Sequence, residues 1–161
     1  MAIDYFLKID GISGESLDSK HKGEIEVESW SWGESNPAQP GGDGGGGAAG
    51  KVQIQDLAFT TRFSKASPQL ILACASGKHF KDAVLTARKA GKGQQEFLTF
   101  SLSDVLVSAY QTGGAGGDVF PGNSVSLNFS KIRVEYKPQN PDGSLGSSIK
   151  AGWDVKQNKQ F

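Results

Sequence analysis

"FLTFSLSDVLVSAY", residues 97–110, is written as a strand, yet halfway along it changes which side is apolar. Leu98, Phe100 and Leu102 stand on even positions, Val105, Val107 and Ala109 on odd ones, with Ser103-Asp104 between. Side chains alternate faces along a strand, so the apolar face switches across those two residues. "SVSLNFSKIRVEY", residues 124–136, does the same in reverse: Val125, Leu127 and Phe129 are odd, Ile132, Val134 and Tyr136 even. Its break falls at Ser130-Lys131. One antiparallel register sets Leu98 against Tyr136, Phe100 against Val134, Leu102 against Ile132, Val105 against Phe129, Val107 against Leu127 and Ala109 against Val125. The two breaks then lie opposite each other, and the Gly-rich "QTGGAGGDVFPGN", 111–123, closes a long hairpin.

The same plan appears earlier. In "EIEVESWSWGES", 24–35, Ile25 and Val27 are odd while Trp30 and Trp32 are even; in "KVQIQDLAFTTRF", 51–63, Val52 and Ile54 are even while Leu57, Phe59 and Phe63 are odd. A register opposing Trp32 to Val52, Trp30 to Ile54, Val27 to Leu57 and Ile25 to Phe59 satisfies all four apolar pairs. Two readings of the breaks stand. A β-bulge resets which face is buried. Alternatively, each hairpin changes face and buries its loop-proximal half elsewhere, since a soluble monomer rarely exposes large apolar patches. On that second reading the candidates for a subunit interface are Trp30, Trp32, Val52, Ile54, Val105, Val107, Leu127 and Phe129.

"IDYFLKI" alternates as a strand with Ile3, Tyr5, Leu7 and Ile9 on one face, and "HFKDAVLTARKAG" and "SIKAGWDVKQ" read as two more. "SPQLILACASG" predicts one short helix, with Ser67 as N-cap, Pro68 first and Gly77 after its end. Leu70, Ala73 and Cys74 supply its apolar stripe. "NPAQPGGDGGGGAAG", 36–50, has no side chains able to form a core and predicts a flexible loop. About seven strands and one helix in 161 residues make a single mainly-β domain over 1–161, a compact barrel or tight sandwich.

Composition excludes more than it assigns. Lys+Arg and Asp+Glu number 17 each, so the basic excess that marks nucleic-acid binding is missing. One cysteine, Cys74, forms no internal disulfide and no Cys-rich metal site. No run approaches the ~20 apolar residues of a membrane helix, and the N-terminus has no secretory signal, which points to folding in the cytoplasm. "GGGAAGKV", 45–52, imitates a phosphate-binding loop, but Val52 replaces the required hydroxyl and a strand follows instead of a helix. His21, in the charged turn "SKHKG", reads as a solvated residue, and His79 as a local partner at a strand start. Two distant histidines make no metal site, no G-x-S-x-G elbow is present, and no catalytic constellation or cofactor motif emerges. A different class stays open: a monomeric β-sandwich that stacks sugars on Trp30, Trp32 and Trp153.

Larger blocks then carry a resemblance. "MAIDYFLKIDGISGES", "IEVESWSWG", "GKVQIQDLAFTTRFSKASPQLILACASGKHF", "DVLVSAYQTGGAGG", "VSLNFSKIRVEYKPQ" and "GWDVKQN", together nearly the whole chain, resemble the haemolysin-coregulated protein (Hcp) family of type VI secretion tube subunits. The resemblance implies a phage tail-tube-like β-barrel with one helix, assembled as a homohexameric ring. Four strands of each subunit would contribute to an inner barrel around a wide channel. Rings would stack inside a contractile sheath, capped by a spike protein, and small effectors would travel in the channel. Such a subunit leaves the cell with the tube and needs no signal peptide. No catalytic residue is implied, and a fused enzymatic domain is not expected after Phe161. The resemblance makes the 36–50 loop the ring-stacking candidate through Asn36, Gln39, Asp43, Gly44 and Gly50. Gln53, Gln55, Ser103, Ser126 and Asn128 become candidates for the channel wall.

Overall fold

The 97–110 stretch lies within β8 (Glu96–Gly113), an 18-residue strand that serves two sheets in turn. Its first part pairs with β7 (His79–Lys89) on one side and β10 (Lys131–Tyr136) on the other; its second part pairs with β9 (Gly122–Asn128). The computed structural model, which describes residues 2–37, 51–90 and 93–161, places the remaining elements around this trunk. The first sheet runs from β12 (Lys159–Gln160) through β11 (Ile149–Asp154), β10, β8, β7 and β1 (Ile3–Ile9) to β2 (Ile25–Val27). The second branches from β8 through β9 and β6 (Leu57–Arg62) to β3 (Ser29–Ser31), and β4 (Glu34–Ser35) pairs with β5 (Gln53–Ile54) beside it. The one helix among the described residues is α1 (Ala66–Ser76). The mainly-β expectation holds, with one correction: the sheet has ends at β12, β2 and β3 and does not close into a barrel. More than seven strands result because 24–35, 51–63 and 124–136 each break into shorter pieces and β12 follows β11.

A bend within the chain, with no residue inserted, accounts for the face switch: Lys131 opposite Ser103 and Asn128 opposite Leu106 belong to one unbroken register. Asp104 takes φ +55 in mid-strand, and Ser130 N–H crosses to Ser103 O at 2.9 Å where β9 gives way to β10. Leu102 and Ile132 on one side of the break, and Val105 and Phe129 on the other, all lie in one core at 5% exposure or less. A strand that passes from one sheet to another packed against it turns the corner through a bulge or bend, and both its halves face the same interior. Both strands of the hairpin reset together because both turn the same corner. Val105, Val107, Leu127 and Phe129 are therefore covered by their own chain, and the uncovered surface that argued for their interface role is absent.

The register of the second hairpin agrees with the sequence from Leu98–Tyr136 to Val107–Leu127, then slips by one: Ala109 faces Ser126, and Val125 faces Tyr110. The register of the first does not agree. Trp30 lies opposite Phe59, not Ile54, and Glu34 takes the place opposite Ile54. Ile25 and Val27 pair with Leu7 and Tyr5 of β1, so only the short β3 pairs with β6. The error came from treating 24–35 as one strand with one partner. Its corner at Glu28 hands the two parts to different neighbours, with Glu28 N–H still reaching Thr60 O at 2.9 Å.

α1 begins earlier than expected, with Lys65 at the N-cap and no side-chain cap. Gly77 ends it at φ +68, as the sequence indicated, because a left-handed C-terminal residue favours glycine. Ser67, the expected cap, is instead fully buried: its hydroxyl accepts from Ser64 N at 2.9 Å and Asn123 Nδ2 at 2.7 Å.

Candidate functional site

The branch sheet β3–β6–β9–β8 presents two faces of different character. Its inner side carries Trp30, Leu57, Phe59, Val125, Leu127 and Val107 against the core. The opposite side carries Ser29 and Ser31 of β3, Ala58 and Thr60 of β6, Ser124 and Ser126 of β9, and Ala109 and Gln111 of β8, which together line one shallow depression. Strand alternation alone produces this segregation. The side chains are short, and one pair of hydroxyls, Ser29 and Thr60, meets at 2.5 Å. Lower on the same face, Asp56 accepts from Ser108 Oγ at 2.6 Å and from Asn128 Nδ2 at 2.9 Å. Such a face offers water and passing solutes hydrogen bonds, and it carries the Asp56 carboxylate.

The predicted wall residues divide. Ser126 and Asn128 belong to this face. Gln53 and Gln55 are exposed beside it, with Gln55 N–H on Gly33 O at 3.0 Å. Ser103 does not join them: it pairs with Asp82 and Lys131 in the other sheet. The small residues that complete the face, Ser29, Ser31, Thr60 and Ser124, escaped sequence reasoning, although their alternation with the apolar set was readable.

Of the edge residues, Trp30 and Trp32 are half-buried on Phe100, with ring centroids 4.9 and 6.3 Å away, and Trp32 Nε1 donates to Gln55 O at 2.9 Å. Trp153 is half-buried with its Nε1 enclosed. Three indoles packed this way form no open sugar platform, and the carbohydrate-binding reading is dropped. Ile54 packs against the core and Val52 is half-buried. Asn36 is exposed; Gln39, Asp43, Gly44 and Gly50 lie outside the described residues.

What the face lacks is as informative as its edges. Among the described residues, β3 pairs only with β6, and β8 beyond Leu106 pairs only with β9. The sheet is therefore open on both sides.

Buried polar groups elsewhere serve as fastenings. Arg88, 3% exposed, donates from both terminal nitrogens to Asp18 at 2.9 and 2.7 Å. That hydrogen bond, with Lys20 N–H behind it, holds Asp18 far below the usual carboxylate range. His21, expected in solvent, is buried: its ring stacks on Phe6 at 4.4 Å and its nitrogens meet Glu24 and Glu96 at 2.9 and 2.6 Å. His79 reaches Asp104 at 2.9 Å, a partner 25 residues away on β8 where a local one was expected. No group of three or more His, Cys, Asp or Glu among the described residues is placed to hold a metal ion.

Fold and face together define a mainly-β protein with one hydroxyl-lined sheet face and two open strand edges. Residues 6–136 match the family described as "Type VI secretion system effector, Hcp". The chain is 48% identical over 162 residues to "Protein hcp1" of Pseudomonas aeruginosa, covering 99% of both. It superposes on the crystal structure of Hcp1 from Salmonella typhimurium with a TM-score of 0.81 at 39% identity, covering 100% of both chains. It also superposes on a structure titled as a type six secretion system protein with a TM-score of 0.93 at 31% identity, covering 99% of this chain and 100% of that one. The chain belongs to the Hcp family of type VI secretion tube and effector proteins.

Proposed function

We propose that this chain is a non-enzymatic building block that closes into rings of six identical copies, which stack into the inner tube of a type VI secretion system. The observation that carries this reading is the pair of open edges on one sheet, at β3 and at the second half of β8. An open strand edge is a template for another strand. Joining β8 of one copy to β3 of the next satisfies both edges and continues the hydroxyl face from copy to copy. Around a ring, that face becomes a channel wall, with Ser126, Asn128, Gln53 and Gln55 among its groups. A wall of short polar side chains suits cargo that must slide, and small effectors are the proposed cargo.

Trp30 and Trp32, at the β3 edge, and Val52 and Ile54, at the β4–β5 pair, are the retained interface residues. The 36–50 segment, with Asn36 exposed at its start, is the proposed ring-stacking contact. The tube would assemble in the bacterial cytoplasm inside a contractile sheath, carry a spike protein at its tip, and leave the cell without a signal peptide. Light scattering on the purified chain tests the ring: the expected mass is six times 17.0 kDa. A single-chain mass at high concentration overturns the reading.

A further inference from the structure

Each open edge of the branch sheet has apolar surface beside it on the core side. At the β8 edge this surface is α1. The buried Ser67 near the helix start is tied to Asn123, and Asn123 accepts from Tyr110 Oη of β8 at 2.7 Å. The helix end leads to His79, which pairs with Leu106. α1 therefore runs antiparallel along the half of β8 that β7 leaves uncovered. Ala66, Leu70 and Ala73 face inward, yet Ile71 and Leu72, on the outer side, are 43% and 69% exposed. The outer face of a helix on a globular domain is ordinarily polar.

At the β3 edge, Trp30 and Trp32 rest on Phe100, and the row of paired residues continues from Phe100 through Val134 to Ala151. The next row is Leu98, Tyr136 and Ile149. Residues paired across antiparallel strands share a face, so both rows extend the core side of the sheet outward. There the cover runs out: Tyr136 is 44% and Ile149 65% exposed.

We propose that the Ile71–Leu72 face of α1 in one copy seats on the Tyr136–Ile149 shelf of β10 and β11 in a second copy. The contact rests on the self-assembly proposed above and names its second element: the step that joins β8 to β3 also brings these two surfaces together. Both lie on the core side of the branch sheet, the helix along its β8 edge and the shelf reached past its β3 edge through Trp30 and Trp32 on Phe100, so a neighbour added edge to edge carries the helix over the shelf. A helix ridge and a flat pair of strand rows are unlike surfaces. Because the two surfaces lie at opposite open edges, each copy meets one neighbour through its helix and another through its shelf, a head-to-tail contact that repeats around a ring.

The test uses Leu72→Glu and Ile149→Glu, each at a position more than half exposed, so that both variants keep the circular dichroism of the folded parent chain. Each variant alone is expected to lose the ring and scatter as a single chain. An equimolar mixture at high concentration is expected to recover a two-chain mass, because one variant keeps an intact shelf and the other an intact helix. An unsubstituted chain that stays monomeric overturns the self-assembly reading itself. A ring that survives both substitutions overturns only the contact named here, and a mixture that remains monomeric overturns its head-to-tail sense.

Discussion

Asp104 holds the corner of the fold. A left-handed backbone costs an L residue roughly 1–2 kcal/mol, and aspartate is among the few that adopt it readily. Its φ of +55 lets Leu102 and Val105 both face inward, although their spacing in a plain strand would put them on opposite faces. The carboxylate binds both sides of the turn: Ser130 Oγ donates at 2.6 Å, His79 sits at 2.9 Å and Lys156 Nζ at 3.2 Å. These partners, Ser130 first, then His79 and Lys156, hold it well below the usual carboxylate range. A depressed native pKa stabilises the fold fully above the unfolded value, about 3.9, and that contribution is lost as pH falls below it. Asp104→Asn should melt below the parent at neutral pH and show a flatter decline in Tm from about pH 5 to about pH 2.5. Parallel curves would assign the acid loss to other carboxylates, Asp18 foremost, since Arg88 lowers it in the same direction.

At the scale of elements, α1 is moored by one hydroxyl as well as by packing. Ser67 Oγ accepts from both Ser64 N and Asn123 Nδ2 and is wholly buried, so its loss leaves two enclosed donors without that acceptor. Ser67→Ala should cost about 1–3 kcal/mol in denaturant melts, and amide exchange in α1 should quicken more than in β7. Equal exchange in the two elements would mean that Leu70 and Ala73 hold the helix without the hydroxyl. The same residue shows how local pattern misleads: a serine before proline reads as a cap, but Asn123, 56 positions away, claims its oxygen. β2 and β3 teach a similar lesson, adjacent in sequence yet serving different partners.

At the scale of the molecule, one sheet turned over on itself leaves a hydroxyl face, two open edges and an apolar border at each. The proposed contacts join backbone to backbone and aliphatic to aliphatic, within a chain whose positive and negative side chains balance at 17 each. Salt screens exposed ion pairs and leaves apolar contacts intact. The assembled mass should therefore be unchanged between about 0.05 and about 1 M sodium chloride. Dissociation at the higher concentration would show that ion pairs, not apolar surfaces, join the copies.

The sequence by itself determined that 97–110 and 124–136 are strands, that their faces switch at matched positions, and most of the register between them. Alternation of apolar residues records these things locally. It also identified the family, through blocks spread over the whole chain. The tertiary structure alone decided what covers each half-strand after the switch, that His21 and Arg88 are inside, and that Ile71, Leu72, Tyr136 and Ile149 stay outside. A pattern of parity reports that a face has changed, while the identity of its cover depends on which distant strand arrives there.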